Sequence, residues 1–235
     1  KLKINKTFIG NDYPTYFIAD IAANHNGSLK KAKKLIRLCA LAGANAAKFQ
    51  HFKAETIVSD YGFKKIKKLT HQKKWKKSVF QVYKEASIDP SWNIELKKTC
   101  QRYNIDFMTS PYDLDYVDEV DKYISAFKIG SGDITWIEII QKIAKKKKVV
   151  ILATGASNNK DVIRAVNSIK KINKKIVLMQ CNTNYTADQD NLKHLNLNVL
   201  NSYKKQFGKS VILGLSDHTL GHLSVLGAVA MGAEL

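Results

Sequence analysis

The sequence lacks several features, and each absence excludes a class of protein. It contains no run of eighteen apolar residues and no apolar N-terminal segment with basic flanks, so we expect neither a membrane span nor a secretory signal. Its three cysteines, Cys39, Cys100 and Cys181, are far apart and form no CxxC pair. This spacing argues against a disulfide framework or a zinc ribbon, and it predicts a cytoplasmic protein with reduced thiols.

Arginine is also scarce. Lysine and arginine number 39 against 20 acidic residues, for a formal net charge of +19, yet only three of the 39 are arginine. Proteins that recognise bases and phosphates rely on the bidentate fork of arginine. The lysines lie mainly on polar helix faces, as at 30–34 and 145–148. Composition therefore favours a lysine-rich globular protein whose charge attracts anionic substrates. A basic nucleic-acid-binding protein stays the alternative of another class.

Short apolar runs alternate with helical patterns along the 235 residues, 45% of which are hydrophobic. The apolar runs predict strands at 15–21, 46–50, 106–111, 126–131, 149–155, 175–182 and 210–217. The patterns after them predict helices at 28–43, about 91–103, 114–123, 136–146, 158–171, 195–207 and 223–234. Most runs are continuous in Val, Ile, Leu and Phe, which is typical of parallel strands that are buried on both faces.

Seven βα units predict an α/β fold, namely a TIM-type (β/α)8 barrel with seven of its eight units present. A doubly wound open sheet is the alternative, because such a sheet tolerates any number of strands. The connection at about 51–90 is far longer than the roughly 2–6 residues usual for a βα loop, and its stretch 61–84 is rich in lysine without an acidic residue. Two interpretations of this insertion stay open: a functional lid, and a solvated helical excursion on the rim.

Polar residues stand at the C-terminal end of every predicted strand. Parallel strands of a barrel end at one rim, and a buried charge is costly unless it is paired, so these residues predict a functional site. The candidates are Asp20, Asn24, His25, Lys48, Gln50, His51, Thr109, Ser110, Lys128, Ser131, Asp133, Thr154, Gln180, Cys181, Asn182, Thr183, Asn184, Tyr185, Ser216, Asp217 and His218.

Two lysines of this set, Lys48 and Lys128, lie inside apolar strands. Their ammonium groups are expected to point into the mouth of the barrel, where neighbouring serines and the amides of the GSGD turn would help them bind a phosphate or a carboxylate. Two alternatives stay open: a structural ion pair with Asp20 or Asp133, and a Schiff-base lysine.

The stretch GLSDHTLGHLS at 214–224 places His218 and His222 four residues apart, the spacing of one helix face. His218 follows an acid directly after a strand, which favours a metal ligand or an acid/base role. We interpret His222 as a bystander on the next helix. Cys181 has no assigned histidine partner, so a buried structural cysteine is expected rather than a nucleophile.

The motifs match a known family. YFIADIAANHNG (16–27), FMTSPYDL (107–114), FKIGSGD (127–133), QCNTNYT (180–186) and GLSDHTLGH (214–222) occur in the order seen in N-acetylneuraminate (sialic acid) synthases, and the chain resembles that family over essentially its whole length. The resemblance implies a (β/α)8 barrel followed by an antifreeze-like domain, and a homodimer. It implies condensation of phosphoenolpyruvate with an open-chain N-acylated mannosamine-type sugar, which gives a nine-carbon sialic-type acid and phosphate. It also implies a divalent metal cofactor, commonly Mn²⁺, with Mg²⁺ as the alternative.

The resemblance also implies roles for individual positions. Phosphoenolpyruvate would be held by Lys48, Ser110, Lys128 and Ser131, and the metal bound by His218 would polarise the sugar aldehyde. Asp20, Asp133 and Tyr185 would contact the sugar or assist proton transfer, and Asp217 would orient His218. The catalytic set is then Asp20, Lys48, Lys128 and Asp133, with Asn24, Gln50, Thr154, Asn182, Asn184 and Ser216 as further substrate contacts.

The chain departs from the family pattern at four places. Asp20 and Asp133 stand where many members have Glu, and Ala153 stands where some have a phosphate-contacting Ser. CNTNY differs from the usual CTxxY at 181–185. These changes leave the reaction type in place and put the sugar in doubt, so legionaminate- and pseudaminate-type synthases are alternatives.

The family's second metal histidine lies on strand 8, beyond the position matched by Leu235. On this basis the expected domain is 1–235, an incomplete catalytic barrel with a basic insertion at about 51–90 and without the antifreeze-like domain. Such a chain is not expected to be fully active by itself.

Overall fold

The computed structural model describes residues 1–66, 72, 75–186 and 188–235. Within them the chain forms two compact units. The N-terminal unit is Phe17–Ile124, and the C-terminal unit is Ser125–Leu235 together with Lys1–Tyr16. Each unit contains parallel strands connected by helices, which confirms the predicted α/β class.

The described strands are β1 (Leu2–Ile4), β2 (Thr7–Ile9), β3 (Ile18–Ala22), β4 (Ala46–His51), β5 (Asp106–Pro111), β6 (Ala126–Ile129), β7 (Val149–Ala153), β8 (Ile176–Cys181) and β9 (Ile212–Ser216). The described α-helices are α1 (Leu29–Leu41), α2 (Ala54–Ile57), α3 (Asp60–Lys65), α4 (Val79–Ala86), α5 (Asn93–Arg102), α6 (Leu114–Asp121), α7 (Ile137–Lys145), α8 (Asn159–Lys170), α9 (Val199–Phe207) and α10 (Leu223–Ala230). The seven strands β3 to β9, and a helix after each, confirm the predicted alternation.

Local sequence explains where the helices begin and end. The Ser28 hydroxyl accepts a hydrogen bond from the Lys31 amide at the start of α1, and Gly43 follows its end with φ of +86°, as glycine permits. Asn158 and Asp161 form a reciprocal capping box at the start of α8, which satisfies amides that would otherwise lack a partner. The N-cap predicted at Ser28 is therefore confirmed.

In the N-terminal unit the parallel strands lie in the order β3-β4-β5. Their register pairs Asp20 with Lys48 and Gln50 with Ser110. Paired residues on neighbouring strands point to the same face, and side chains alternate between faces along a strand. Asp20, Lys48, Gln50 and Ser110 therefore share one face, whereas His51 points to the other.

In the C-terminal unit the parallel strands lie in the order β6-β7-β8-β9. The register aligns Lys128 with Ile151 and Cys181 with Ser216. The same alternation places Lys128, Cys181 and Ser216 on one face. Thr154 lies three residues beyond Ile151 and therefore points to the opposite face.

The sequence did not predict the antiparallel hairpin of β1 and β2 in the C-terminal unit. Each of its strands has three residues, which is too short for an alternating pattern to appear. In the insertion, α2, α3 and α4 account for part of the predicted helical excursion. Residues 67–71, 73 and 74, which carry much of its lysine cluster, lie outside the described residues, so the lid interpretation stays a prediction.

The stretch 217–222 is irregular, and α10 begins only at Leu223. The spacing of His218 and His222 therefore does not reflect a shared helix face. Among the described residues, none of the helices has the length and apolar character of a membrane span.

Candidate active site

A buried lysine and a carboxylate form the centre of the N-terminal unit's candidate site. Lys48 Nζ lies 2.8 Å from Asp20 Oδ1, and the lysine side chain is 4% exposed whereas the aspartate side chain is 40% exposed. The structural ion pair considered from the sequence is thus present. It brings two predicted catalytic residues together, since the strand register makes them direct neighbours.

Further predicted residues lie on the same face, one step towards the strand ends. Ser110 is buried, at 2% exposure, and Gln50 Nε2 donates to the Tyr112 hydroxyl at 3.3 Å. Asn24 lies in the loop after β3, where its amide donates to the Ile21 carbonyl at 3.0 Å. Gln50 and Ser110 therefore lie near the C-terminal ends of β4 and β5, whereas Lys48 lies in the middle of β4, on the same face.

The opposite face of this sheet carries a buried polar chain. His51 Nε2 lies 2.7 Å from Asn93 Oδ1, and His51 Nδ1 lies 2.8 Å from Thr109 Oγ1. Asn93 Oδ1 can only accept, so Nε2 carries the proton and Nδ1 accepts from the Thr109 hydroxyl. Burial lowers the pKa of His51 to about 4. His51 and Thr109 are thus strand-end residues with a structural role.

His25 is fully buried in the loop after β3. Its Nδ1 accepts from the Gly27 amide at 3.2 Å, and its ring meets that of Trp92 edge-on with 5.7 Å between centroids. Burial lowers its pKa, and the charge of Lys31 adds to the effect. His25 therefore shapes the loop that carries Asn24, and its position in the NHNG motif was the sequence signal for it.

The C-terminal unit contains a second buried lysine. Lys128 Nζ donates to Ser216 Oγ at 2.9 Å, across from β6 to the end of β9. Lys128 is 9% exposed and Ser216 is 8% exposed. The structure thus brings together two residues that the sequence assigned separately, one to catalysis and the other to substrate binding.

A tightly packed cluster lies at the ends of β7 and β8. Ser131 Oγ accepts from the Gly155 amide at 3.0 Å. A Cβ atom on Gly155 would lie 1.9 Å from Thr183 Oγ1 and 2.9 Å from Ser131 Oγ, distances at which atoms overlap. Cys181 Sγ lies 3.7 Å from Thr183 Oγ1. Glycine at position 155 therefore allows these polar side chains to approach one another.

The sequence assigned Cys181 no histidine partner and predicted a buried structural cysteine, whereas the structure leaves Cys181 partly exposed and places His218 beside it. Burial raises the pKa of its thiol, but hydrogen bonds with His218, Ser131 and Thr183 and the charge of His218 outweigh burial and lower the pKa to about 7. The thiol and His218 are 37 residues apart in the sequence. Their contact depends on the adjacency of β8 and β9, and no local pattern could have indicated it.

Asp133 stands in the short 3-10 turn Ser131–Asp133 after β6. Burial raises the pKa of its carboxyl group to about 6, because a low-dielectric environment disfavours the charged form. A carboxyl group with this pKa can exchange a proton near neutral pH.

Thr154 is occupied by structural hydrogen bonds. Its hydroxyl donates to the Met179 carbonyl at 2.8 Å and accepts from the Tyr203 hydroxyl at 2.7 Å. Both bonds lie on the face opposite to Lys128. The predicted substrate contact of Thr154 therefore gains no support from the geometry, and Ala153 leaves the other face without a hydroxyl at this point.

Asn191 holds the loop after β8 together. The Asn191 side-chain oxygen accepts from the Asn184 amide, and its backbone carbonyl accepts from the Asn182 amide at 3.4 Å. Both predicted asparagines therefore donate hydrogen bonds within the loop. Tyr185, which follows Asn184, is exposed, and its ring centroid lies 4.5 Å from that of His218.

His218 lies at the end of β9 beside Tyr185 and Cys181, whereas His222 is exposed at the start of α10. Asp217 accepts hydrogen bonds from Thr219 and from Ser224 at 2.7–3.1 Å. These bonds fix the turn, and orientation of His218 by Asp217 stays a prediction. Among the residues that the structure describes, no group of three or more His, Cys, Asp and Glu side chains could hold a metal ion.

Comparisons with known proteins identify relatives over the whole chain. A family model described as the NeuB family matches residues 35–235. The N,N'-diacetyllegionaminic acid synthase of Campylobacter jejuni is 39% identical over 93% of this chain. The human N-acetylneuraminate-9-phosphate synthase is 27% identical over 97% of it. The chain spans 65% and 62% of the length of these two relatives.

A solved structure shows the same fold. The N-acetylneuraminic acid (sialic acid) synthetase of Leptospira borgpetersenii, in complex with citrate, superposes with a TM-score of 0.84 at 27% identity. The match covers 99% of this chain and 75% of that one.

Proposed function

The chain belongs to the NeuB family, and on that premise we propose that it joins phosphoenolpyruvate to an open-chain N-acyl mannosamine-type sugar. The products would be a nine-carbon sialic-type acid and phosphate. The observation that carries the proposal is the buried lysine in each unit, each with a polar partner: Lys48 in the middle of β4 and Lys128 next to the end of β6. Family membership favours this enzymatic role over the nucleic-acid-binding alternative.

Phosphoenolpyruvate carries a carboxylate and a phosphate, and each can accept charge-assisted hydrogen bonds from an ammonium group. Lys48 and Ser110 in the N-terminal unit, and Lys128 and Ser131 in the C-terminal unit, are proposed to hold these groups. The two ammonium groups are buried in strands, and a cation held by rigid elements favours precise positioning of a bound anion.

The proposed chemistry forms one carbon–carbon bond and breaks one carbon–oxygen bond. The methylene carbon of phosphoenolpyruvate attacks the sugar aldehyde, whose oxygen takes up a proton. Water then adds to the resulting cationic carbon and loses a proton, and the bond from that carbon to the phosphate oxygen breaks. The raised pKa of Asp133 supports a role in these proton transfers, and Asp20 and Tyr185 are proposed to contact the sugar.

A divalent metal, Mn²⁺ or Mg²⁺, is also part of the proposal, with His218 as one ligand. Such a cation, when bound, polarises an aldehyde oxygen as a Lewis acid. The described part of the chain does not by itself complete a set of three protein ligands. Equilibrium dialysis with Mn²⁺ tests the assignment: His218→Ala should lose metal binding, and His222→Ala, as the control, should retain it.

The sugar could be of more than one type. The 39% identity with a legionaminic acid synthase, against 27% with the human N-acetylneuraminate-9-phosphate synthase, favours a legionaminate-type substrate as the second candidate. Asp20 and Asp133, each one methylene shorter than the glutamate of many family members, also support a difference in sugar contacts. A pseudaminate-type substrate is the remaining alternative within this reaction class.

Three broader points belong to the same proposal. The seven βα units are proposed to be seven of the eight units of a (β/α)8 barrel, and the full-length protein is proposed to be a cytoplasmic homodimer. The fold of the solved relative supports the first point.

Phosphate release tests the proposed reaction. The full-length protein is incubated with phosphoenolpyruvate, Mn²⁺ and a panel of N-acyl hexosamines that includes diacetylated amino sugars. Sugar-dependent release with one member names the substrate class. Absence of phosphate release with every sugar would contradict the proposed reaction for this protein.

A further inference from the structure

The Lys48 ammonium already has an anion beside it in the free protein. Asp20 Oδ1 lies 2.8 Å from Lys48 Nζ, and the lysine side chain is 4% exposed. An ammonium group has three donors with which it can bind an anion. The pair lies on the sheet face that also carries Ser110 and Gln50.

The two partners differ in their contact with water. The Asp20 side chain is 40% exposed, ten times the exposed fraction of the Lys48 side chain. A carboxylate at this exposure can leave the ammonium and be hydrated at small cost, whereas the buried ammonium requires a counter-charge at all times. The partner that can be exchanged is therefore Asp20.

We propose that Asp20 is an internal counter-ion that an incoming anionic substrate displaces from Lys48. This inference rests on the proposed function, because it assigns phosphoenolpyruvate to the same lysine. Two anions close to one ammonium repel each other, so the substrate and the Asp20 carboxylate compete for Lys48. The substrate takes the place of the Asp20 carboxylate at the ammonium, and Asp20 is released towards the strand end, where it becomes available to the sugar.

The competition has a measurable consequence: the ion pair weakens substrate binding in the wild-type protein. Asp20→Asn keeps the size of the side chain and removes its charge. The neutral amide is a weaker partner for the ammonium, so the substrate anion displaces it more easily. We expect phosphoenolpyruvate to bind about tenfold tighter to this variant, which corresponds to ~1.4 kcal/mol.

Isothermal titration calorimetry with phosphoenolpyruvate measures this effect directly. Asp20→Glu keeps the charge, so it should not bind phosphoenolpyruvate more tightly than the wild type. Asp60→Asn is the matched control, since it removes one negative charge from the exposed ion pair with Lys64 and tests the effect of net charge alone. Equal or weaker binding by Asp20→Asn, or equal tightening by Asp60→Asn, would overturn the inference.

The titration also separates this inference from the proposed function. If wild type and Asp20→Asn both fail to bind phosphoenolpyruvate, the proposed function fails and the inference falls with it. If the wild type binds and Asp20→Asn binds no tighter, the inference alone fails. In that case, sugar-dependent phosphate release by the wild type would still support the proposed function.

A second measurement needs no variant, in case Asp20→Asn does not fold. Carbodiimide labelling of the wild-type protein, followed by peptide mass mapping, reports the accessibility of the Asp20 carboxylate. Displacement predicts that inorganic phosphate increases labelling at Asp20 and leaves labelling at Asp60 unchanged. Unchanged or decreased labelling at Asp20, under conditions where phosphate binds, would contradict the exchange.

Discussion

Asp20 Oδ1 and Lys48 Nζ lie 2.8 Å apart, because the parallel register of β3 and β4 makes these two residues direct neighbours on one face. The pair places a carboxylate from the neighbouring strand beside a buried lysine that has apolar residues on both sides. The same pair supplies the cation of the proposed anion site.

Lys48→Met tests the lysine as the anion ligand. Methionine has a similar shape, and the half-exposed Asp20 carboxylate can be hydrated once its partner is gone, so we expect the free energy of unfolding to change by no more than about 1 kcal/mol. Phosphoenolpyruvate binding should fall at least about a hundredfold, since a charge-assisted contact is lost at the site. Calorimetric titration and urea unfolding measure the two quantities. Lys64→Met, at an exposed ion pair, is the control and should bind normally; a Lys48→Met protein that binds equally well would exclude Lys48 from the site.

Gly155→Ala tests the packing of the cluster at the ends of β7 and β8. The new Cβ would lie 1.9 Å from Thr183 Oγ1, so atoms must move, and we expect a loss of roughly 2–4 kcal/mol in the free energy of unfolding. Gly132→Ala is the matched control, because nothing lies within 4 Å of a Cβ there. Adding Thr183→Ala to the Gly155 variant removes the nearest atom and should restore part of the loss. Equal stability of the two alanine variants in thermal unfolding would refute the account of this cluster.

Asp133 predicts a specific pH dependence. Burial raises the pKa of its carboxyl group from 3.8 to about 6. Because the carboxyl group binds its proton more tightly in the folded protein, protonation of Asp133 stabilises the folded state by at most about 3 kcal/mol. This stabilisation is complete below pH 3.8 and is lost as the pH rises through about 6. Asp133→Asn should therefore be more stable than the wild type at pH 8 and should lose this dependence. The variant should also lose a limb near pH 6 in the pH profile of phosphate release. An unchanged profile would remove Asp133 from the proton transfers.

His51 predicts the opposite sign in the acid range. Burial lowers its pKa from 6.5 to about 4, so its contribution to stability is complete above pH 6.5 and is lost as the pH falls through about 4. Between pH 7 and pH 4.5 the loss should be roughly 2–3 kcal/mol. His51→Gln cannot be protonated and should lack this component, although it is less stable at pH 7 because the bond to Asn93 or to Thr109 is lost. Urea unfolding of both proteins at the two pH values checks the difference, and parallel losses in both proteins would argue against a neutral buried His51.

Much of the fold was predictable because local signals determine it. Continuous apolar runs gave the strands, with β5 at its predicted bounds 106–111, and Ser28 marked the start of α1 through its side-chain cap. The hairpin of β1 and β2 was not predictable, because strands of three residues carry no period. Most candidate site residues were predictable in the same way, because a polar residue at the end of an apolar run indicates the end of a buried strand.

The partners of those residues were not predictable from local signals. The bonding of Lys128 to Ser216 and the contact of Cys181 with His218 depend on strand register and on long-range adjacency. The sequence predicted a substrate contact for Thr154, but the structure directs its hydroxyl to Tyr203. Because β7 is apolar on both faces, the sequence pattern does not show to which face Thr154 points.

Phosphate release from phosphoenolpyruvate in heavy-oxygen water tests the central claim most directly. The account predicts that release requires an N-acyl amino sugar and that one nine-carbon acid forms for each phosphate. It also predicts that the phosphate carries no heavy oxygen, because water attacks carbon and the carbon–oxygen bond breaks. Release without a sugar, or heavy oxygen in the phosphate, would contradict the proposed condensation.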